Sequence, residues 1–115
     1  MKLIYIAGPY AAPAHNGIEE NIWRARQAAI WVWQHGGVGV CPHTMTAHMD
    51  GVVPREVFLA GDLELLRRCD AVLVLPGWEQ SQGTQGEIRE AERIGLPLFY
   101  WPDDLCRLEE WLREE

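Results

Sequence analysis

The sequence predicts an α/β fold in which a parallel β-sheet is covered by helices on both faces. Two observations carry this reading. Short apolar runs of strand type alternate with helical stretches along the chain, and such alternation is the mark of βαβ units. The run Ala71-Val72-Leu73-Val74-Leu75 contains no polar residue, as expected of a strand buried on both faces.

The elements follow in order. Leu3 to Ala7, ended by Gly8-Pro9, reads as the first strand. A loop from Tyr10 to Gly17 leads into a helix. Asn16-Gly17-Ile18-Glu19 has the form of its start, a capping side chain with a glutamate three residues on. The helix is expected to run to about His35, with Ile18, Ile22, Ala25 and Ala29 at helical spacing. Gly36-Gly37 stops it. Val38 to Cys41 is the second strand, ended by Pro42, and His43 to Val53 reads as a loop. Pro54 suits the first turn of a helix reaching about Arg68. Asp70 to Leu75 is the third strand. A segment rich in Gly, Gln and Ser then leads to a helix from about Thr84 to Ile94, with Gly95 past its end. Pro97 to Trp101 is the fourth strand and Asp103 to Arg113 the last helix. In parallel sheets of this kind ligands bind beyond the carboxyl ends of the strands. The loops beginning near Gly8, His43, Gly77 and Pro102 are therefore where chemistry is expected.

Bulk properties set limits. The chain has 115 residues, and 1–115 is expected to form one domain. Hydrophobic residues make up 48%, enough for a packed core. The formal charge of -7 argues against a nucleic-acid duplex or an anionic membrane as the main partner. Three cysteines, at 41, 69 and 106, do not suggest a disulfide framework. Cys41 and Cys69 lie among apolar residues and are expected to be buried thiols. No secretion signal and no run of membrane-spanning length is read, so a cytoplasmic protein is expected.

Several segments carry residues suited to chemistry. Gly36-Gly37-Val38-Gly39 precedes a strand, whereas phosphate loops follow one, so helix stop and turn is the reading. Cys41, His43, His48 and Asp50 match no strong metal spacing, and no metal is expected. His43, directly after the second strand, is either a ligand contact or an exposed loop histidine. Asp62 lies four residues after Phe58 and four before Leu66, which places it inside the apolar face of its helix. A carboxylate there has to be paired, protonated or functional, unless it reaches water at the edge of that face. Thr84-Gln85-Gly86-Glu87 reads as a capping box, with Glu87 bonding the helix start. Yet Glu87 also follows a loop, 78–83, in which Ser81 and Gly83 offer a hydroxyl and bare amides to an anion. Two carboxylates, Asp62 and Glu87, suit division of labour at an anomeric carbon: one stabilises or attacks the oxocarbenium-like centre and the other protonates the leaving group. Finally, Ala28 to Trp33 is apolar all round its helix, so either a large core or a subunit interface covers it.

Four segments together carry a family likeness: Ile4-Tyr5-Ile6-Ala7-Gly8-Pro9-Tyr10, Gly61-Asp62-Leu63, Cys69-Asp70-Ala71-Val72, and Ser81-Gln82-Gly83 with Glu87. The chain resembles the nucleoside 2-deoxyribosyltransferase superfamily, including its nucleoside 5'-monophosphate N-glycosidase branch and its short uncharacterised members. The resemblance implies a three-layer, flavodoxin- or Rossmann-like domain with a four- to five-stranded parallel sheet. It implies cleavage of the N-glycosidic bond of a nucleoside or nucleotide without a metal or organic cofactor, by a homodimer or higher homo-oligomer. By position Glu87 matches the nucleophile, Asp62 the acid that helps the base to leave, and Tyr5 the tyrosine that orients the nucleophile. Ser81 matches a serine that holds the 5'-phosphate in the hydrolase branch. Gly8, Pro9, Tyr10, His43, Ser81 and Gly83 are expected to line the pocket. The favoured expectation is a hydrolase acting on a (deoxy)nucleoside 5'-monophosphate. The alternatives are base exchange by a transferase and a non-catalytic nucleotide-binding module.

Overall fold

A computed structural model describes residues 1–11 and 15–114, apart from the side chains of His15 and Asn16. Its four strands are β1 (Leu3–Ala7), β2 (Val38–Val40), β3 (Ala71–Val74) and β4 (Leu98–Tyr100). They form one all-parallel sheet in the order β2-β1-β3-β4. The helices are α1 (His15–Gln34), α2 (Pro42–Met45), α3 (Arg55–Arg67), α4 (Gln82–Ile94) and α5 (Leu105–Arg113), with a 3-10 turn at Trp78–Gln80. This is the three-layer α/β architecture expected, with four strands.

Side-chain alternation along the strands divides the core in two. Ile4 and Ile6 of β1 and Ala71 and Leu73 of β3 pack under α1 and α5, with Ala25, Val32 and Leu108. Tyr5 and Ala7, with Val72 and Val74, point the other way and pack under α3 and α4, with Leu66 and Ile88. Every residue of β3 is buried, as the unbroken apolar run required. The strand order reverses direction between β1 and β3, and a crevice opens at the carboxyl ends of such a pair. Tyr5 lies on the first of these strands and α4 follows the second.

Three local expectations change. The backbone is already helical at His15, so Asn16 lies inside α1 and does not precede it, and the expected loop to Gly17 is shorter. Residues 42–45 form a short helix where a loop was expected, because Pro42 sits at its first turn and Met45 N–H closes back on Cys41 O at 3.1 Å. Farther along that segment, Asp50 and Val53 make an isolated bridge.

Gly8 shows why the first loop begins where it does. A Cβ built there would stand 2.9 Å from both Cβ and Cδ1 of Leu75, so the chain turns against β3's exit only with a bare Cα. Gly8→Ala is expected to lower stability by about 1–3 kcal/mol through overpacking. Urea unfolding measures this, and an unchanged midpoint would contradict the close approach.

Candidate active site

The site begins with Tyr5, which is fully buried on the α3/α4 side of β1. Its hydroxyl donates to Oε2 of Glu87 on α4, so the middle of the sheet fixes one oxygen of that carboxylate. Glu87 is not part of a capping box. The cap is Ser81, whose Oγ accepts from Thr84 N–H at 3.2 Å, and α4 starts at Gln82. Glu87 is thus beyond the first turn, too far along to reach the helix start, and its carboxylate is turned inward. Thr84, the residue expected to cap, is buried and gives its own hydroxyl to Ser81 Oγ at 2.8 Å.

This arrangement leaves donors at the start of α4. Both acceptor positions of the Ser81 hydroxyl are filled by Thr84, so its proton is available to a ligand oxygen. The amides of Gln82 and Gly83 belong to the first turn and have no carbonyl behind them to bond. Open space lies where a Gly83 side chain would be.

Asp62 of α3 stands close enough for its charge to act on both Glu87 and Tyr5. It is half-buried, and burial pushes its carboxyl up to about 6. Burial is also the main cause that pushes Glu87 up to about 8, with Asp62 adding to it and the Tyr5 hydroxyl opposing it. Burial and then the Glu87 charge hold the Tyr5 phenol well above its usual range, so it stays a donor. At neutral pH the two carboxyls therefore share about one proton, which rests mainly on Glu87. The two helices are tied together one turn farther on. Glu90 of α4 accepts from Arg67 of α3 at 2.7 Å and from Arg93 at 2.7 Å, and these cations, Arg93 first, draw its carboxyl down to about 2.

The loops after β1 and β2 close against each other. His43 is buried, not an exposed loop histidine: its Nε2–H donates to Pro9 O at 2.9 Å. Burial lowers its pKa, which keeps the imidazole neutral. Its ring meets Tyr10 edge-on, with centroids 5.3 Å apart, and the Tyr10 hydroxyl donates to Asp50 at 2.8 Å. His43 therefore fixes the path of Gly8-Pro9-Tyr10. Beyond the ends of β3 and β4 a cavity of about 240 Å³ opens, lined by Gly77, Trp78, Glu79, Tyr100, Trp101 and Asp103 among others. It shares the loop 76–79 with the approach to α4, though Glu87 does not line it.

The structure thus brings Tyr5, Asp62 and Glu87 into one electrostatic group, with Ser81 and Gly83 at the start of Glu87's helix. Gly8, Pro9, Tyr10 and His43 form a separate, mutually bonded wall. In the sequence Asp50 reads only as a candidate metal ligand, Glu90 gives no signal, and Trp78 reads only as part of the loop 78–83. Each acquires its place through a partner remote in the chain, respectively Tyr10, Arg67 and Tyr100. Among the described residues, no three His, Cys, Asp or Glu side chains gather as a metal site.

Residues 2–101 match the family described as Domain of unknown function (DUF7768). The chain belongs to this family. No curated protein matches the DUF7768 chain in sequence. Its fold is shared by the 2-deoxyribosyltransferase of the psychrotolerant bacterium Bacillus psychrosaccharolyticus, described as a biocatalyst for synthesis of antiviral and antitumoral nucleosides. That likeness has a TM-score of 0.66 at 18% identity and covers 85% of this chain and 70% of that one. The 2-deoxyribosyltransferase of Leishmania mexicana also shares it, with a TM-score of 0.63 at 23% identity, over 87% of this chain and 63% of that one. At such identities the likeness is one of fold. It agrees with the parallel α/β fold read from the residues.

Proposed function

We propose that this DUF7768 protein cleaves the N-glycosidic bond of a (deoxy)nucleoside 5'-monophosphate, releasing the base and the sugar phosphate. The observation that carries the proposal is the part-buried bond from Tyr5 to Glu87, made within reach of the Asp62 charge. A carboxylate oriented by a phenol and paired with a second carboxyl is the minimum set for displacement at an anomeric carbon. As the bond from C1' to the base breaks, its electron pair leaves with the base, which takes a proton from Asp62. Glu87 attacks C1' or stabilises its developing positive charge. Water then supplies the hydroxyl at C1' and returns a proton to the pair. The Ser81 hydroxyl and the amides of Gln82 and Gly83 would hold the 5'-phosphate, with the positive end of the α4 dipole behind them. The productive form, with Asp62 protonated and Glu87 ionised, is the minor one in the free protein, because burial raises the Glu87 carboxyl further than that of Asp62.

A second reading is favoured by the two fold neighbours, which are 2-deoxyribosyltransferases. The same residues would transfer the sugar to a second base, if that base enters before water. A screen of nucleoside monophosphates and nucleosides for released base, with and without an acceptor base, separates the two. Free sugar phosphate indicates hydrolysis and a new nucleoside indicates transfer. Release of no base from any substrate would overturn both readings and leave a binding role. The pH profile of kcat/KM is expected to be bell-shaped, because the active pair carries one proton. A 5'-phosphate itself titrates near ~6, so the alkaline limb near 8 is the one that reports Glu87 and Asp62. Activity should fall above that pH, as the pair loses its last proton. A flat profile through that region would contradict the assignment.

A further inference from the structure

Strands β3 and β4 end side by side, with Val74 paired to Tyr100, and the chain turns away from both ends. The turn after β3 carries Trp78 and Glu79, and the turn after β4 carries Trp101 and Asp103. Between them opens the cavity of about 240 Å³, which Glu87 does not line. Trp78 and Tyr100 meet edge-on there, with centroids 5.7 Å apart and ring planes at 64°, so two of its walls stand at a steep angle. Trp101 also lines it. These three residues are only partly buried. Trp78 and Tyr100 rest on the α3/α4 half of the core and Trp101 on the other half.

The charge around these rings has one sign. Glu79 and Asp103, both exposed, line the cavity, and no Lys, Arg or His does. Among the described residues, neither carboxylate has a salt-bridge partner. The Tyr100 phenol is held above its usual range, first by burial and then by the charges of Glu92 and Asp104. Arg107 pairs with Asp104 at 3.4 Å but lies over the Phe99 ring, and it does not line the cavity. Aromatic faces are negative and attract cations. Carboxylates at the mouth add to that attraction and repel an anion. A neutral ligand would gain from the rings and nothing from the acids. Volume limits the size. Drug-sized ligands occupy about 300–1,000 Å³, so this cavity takes a group of few heavy atoms. Aromatic walls with acids at the rim suit an ammonium whose own surface is alkyl.

We propose that the cavity beyond β3 and β4 binds a small organic cation, an alkylammonium of the size of choline. Trp78, Tyr100 and Trp101 would enclose it, with Glu79 and Asp103 at the mouth. The inference does not rest on the reaction proposed above. Choline and its uncharged isostere, in which a quaternary carbon replaces the nitrogen, share one shape and differ in charge. Titrated into the full chain, choline is expected to shift the indole N–H resonances of Trp78 and Trp101 and to leave those of the exposed Trp23 and Trp33 in place, with a dissociation constant in the millimolar range. The isostere should bind at least tenfold more weakly. E79Q and D103N together should weaken choline about tenfold, and since both positions are exposed the far-ultraviolet circular dichroism should stay that of the wild type. Phosphocholine should bind more weakly than choline, because its phosphate meets the same carboxylates. No shift of the Trp78 and Trp101 signals at tens of millimolar choline overturns the proposal, as does equal binding of the isostere. Unchanged affinity in the double variant would overturn the role of the two acids. Phosphocholine binding as tightly as choline would assign the cavity to a zwitterionic headgroup and overturn the free-cation reading.

Discussion

Glu87→Gln is expected to lower turnover by about 10³-fold or more, as loss of a nucleophile does, and to raise stability at alkaline pH. Glutamine keeps an oxygen for the Tyr5 hydroxyl, so the hydrogen bond and the packing persist. What disappears is the ionisable carboxyl. In the folded chain that carboxyl is raised from 4.5 to about 8. Across this interval the folded state holds a proton that the unfolded state has released, so stability falls as pH rises through it. Above the upper value the wild type carries a buried charge at a cost of a few kcal/mol, by the size of the shift. Glutamine carries none. Thermal unfolding at pH 9 should show the variant melting higher than wild type, with the gap closing toward pH 5. Wild-type turnover in this variant would remove Glu87 from the chemistry. A melting temperature no higher than wild type at pH 9 would show that the carboxylate is better solvated than its burial indicates.

The second large effect is expected at Asp62. Asn at this position keeps the shape but cannot give a proton to a departing base. General acid catalysis contributes about 10²–10⁴-fold, and bases that leave poorly depend on it most. Asp62→Asn should therefore slow cleavage of nucleotides with poor leaving bases by that factor, and cleavage with activated bases far less. The plot of rate against leaving-group pKa steepens. Equal slowing across the series would assign Asp62 to binding instead. The substitution also removes the acid proton whose loss ends activity in the wild type, so the alkaline fall should disappear and activity should instead rise with pH as Glu87 ionises.

The order of elements was legible because each strand is a short apolar run closed by Gly or Pro. The all-apolar β3 could only be a central strand. Asp62 was legible as well, since a carboxylate within the Phe58–Leu66 face breaks the helical pattern. The start of α4 was not. Ser81-Gln82-Gly83-Thr84 and Thr84-Gln85-Gly86-Glu87 are both acceptable openings for a helix. The choice falls to Ser81 because Thr84 is drawn into the interior, which local sequence does not record. His43 failed for a similar reason: its partner, the Pro9 carbonyl, lies 34 residues away. The continuous apolarity of Ala28 to Trp33 joined core residues to an outward-facing Trp33, so periodicity alone did not separate the two.

Glu90 takes one arginine from α3 and one from its own helix, on the surface of the protein and one turn beyond Glu87. Asp62 and Glu87 ride on the two helices that this cluster ties together, so their spacing is set in part by contacts on the outer surface.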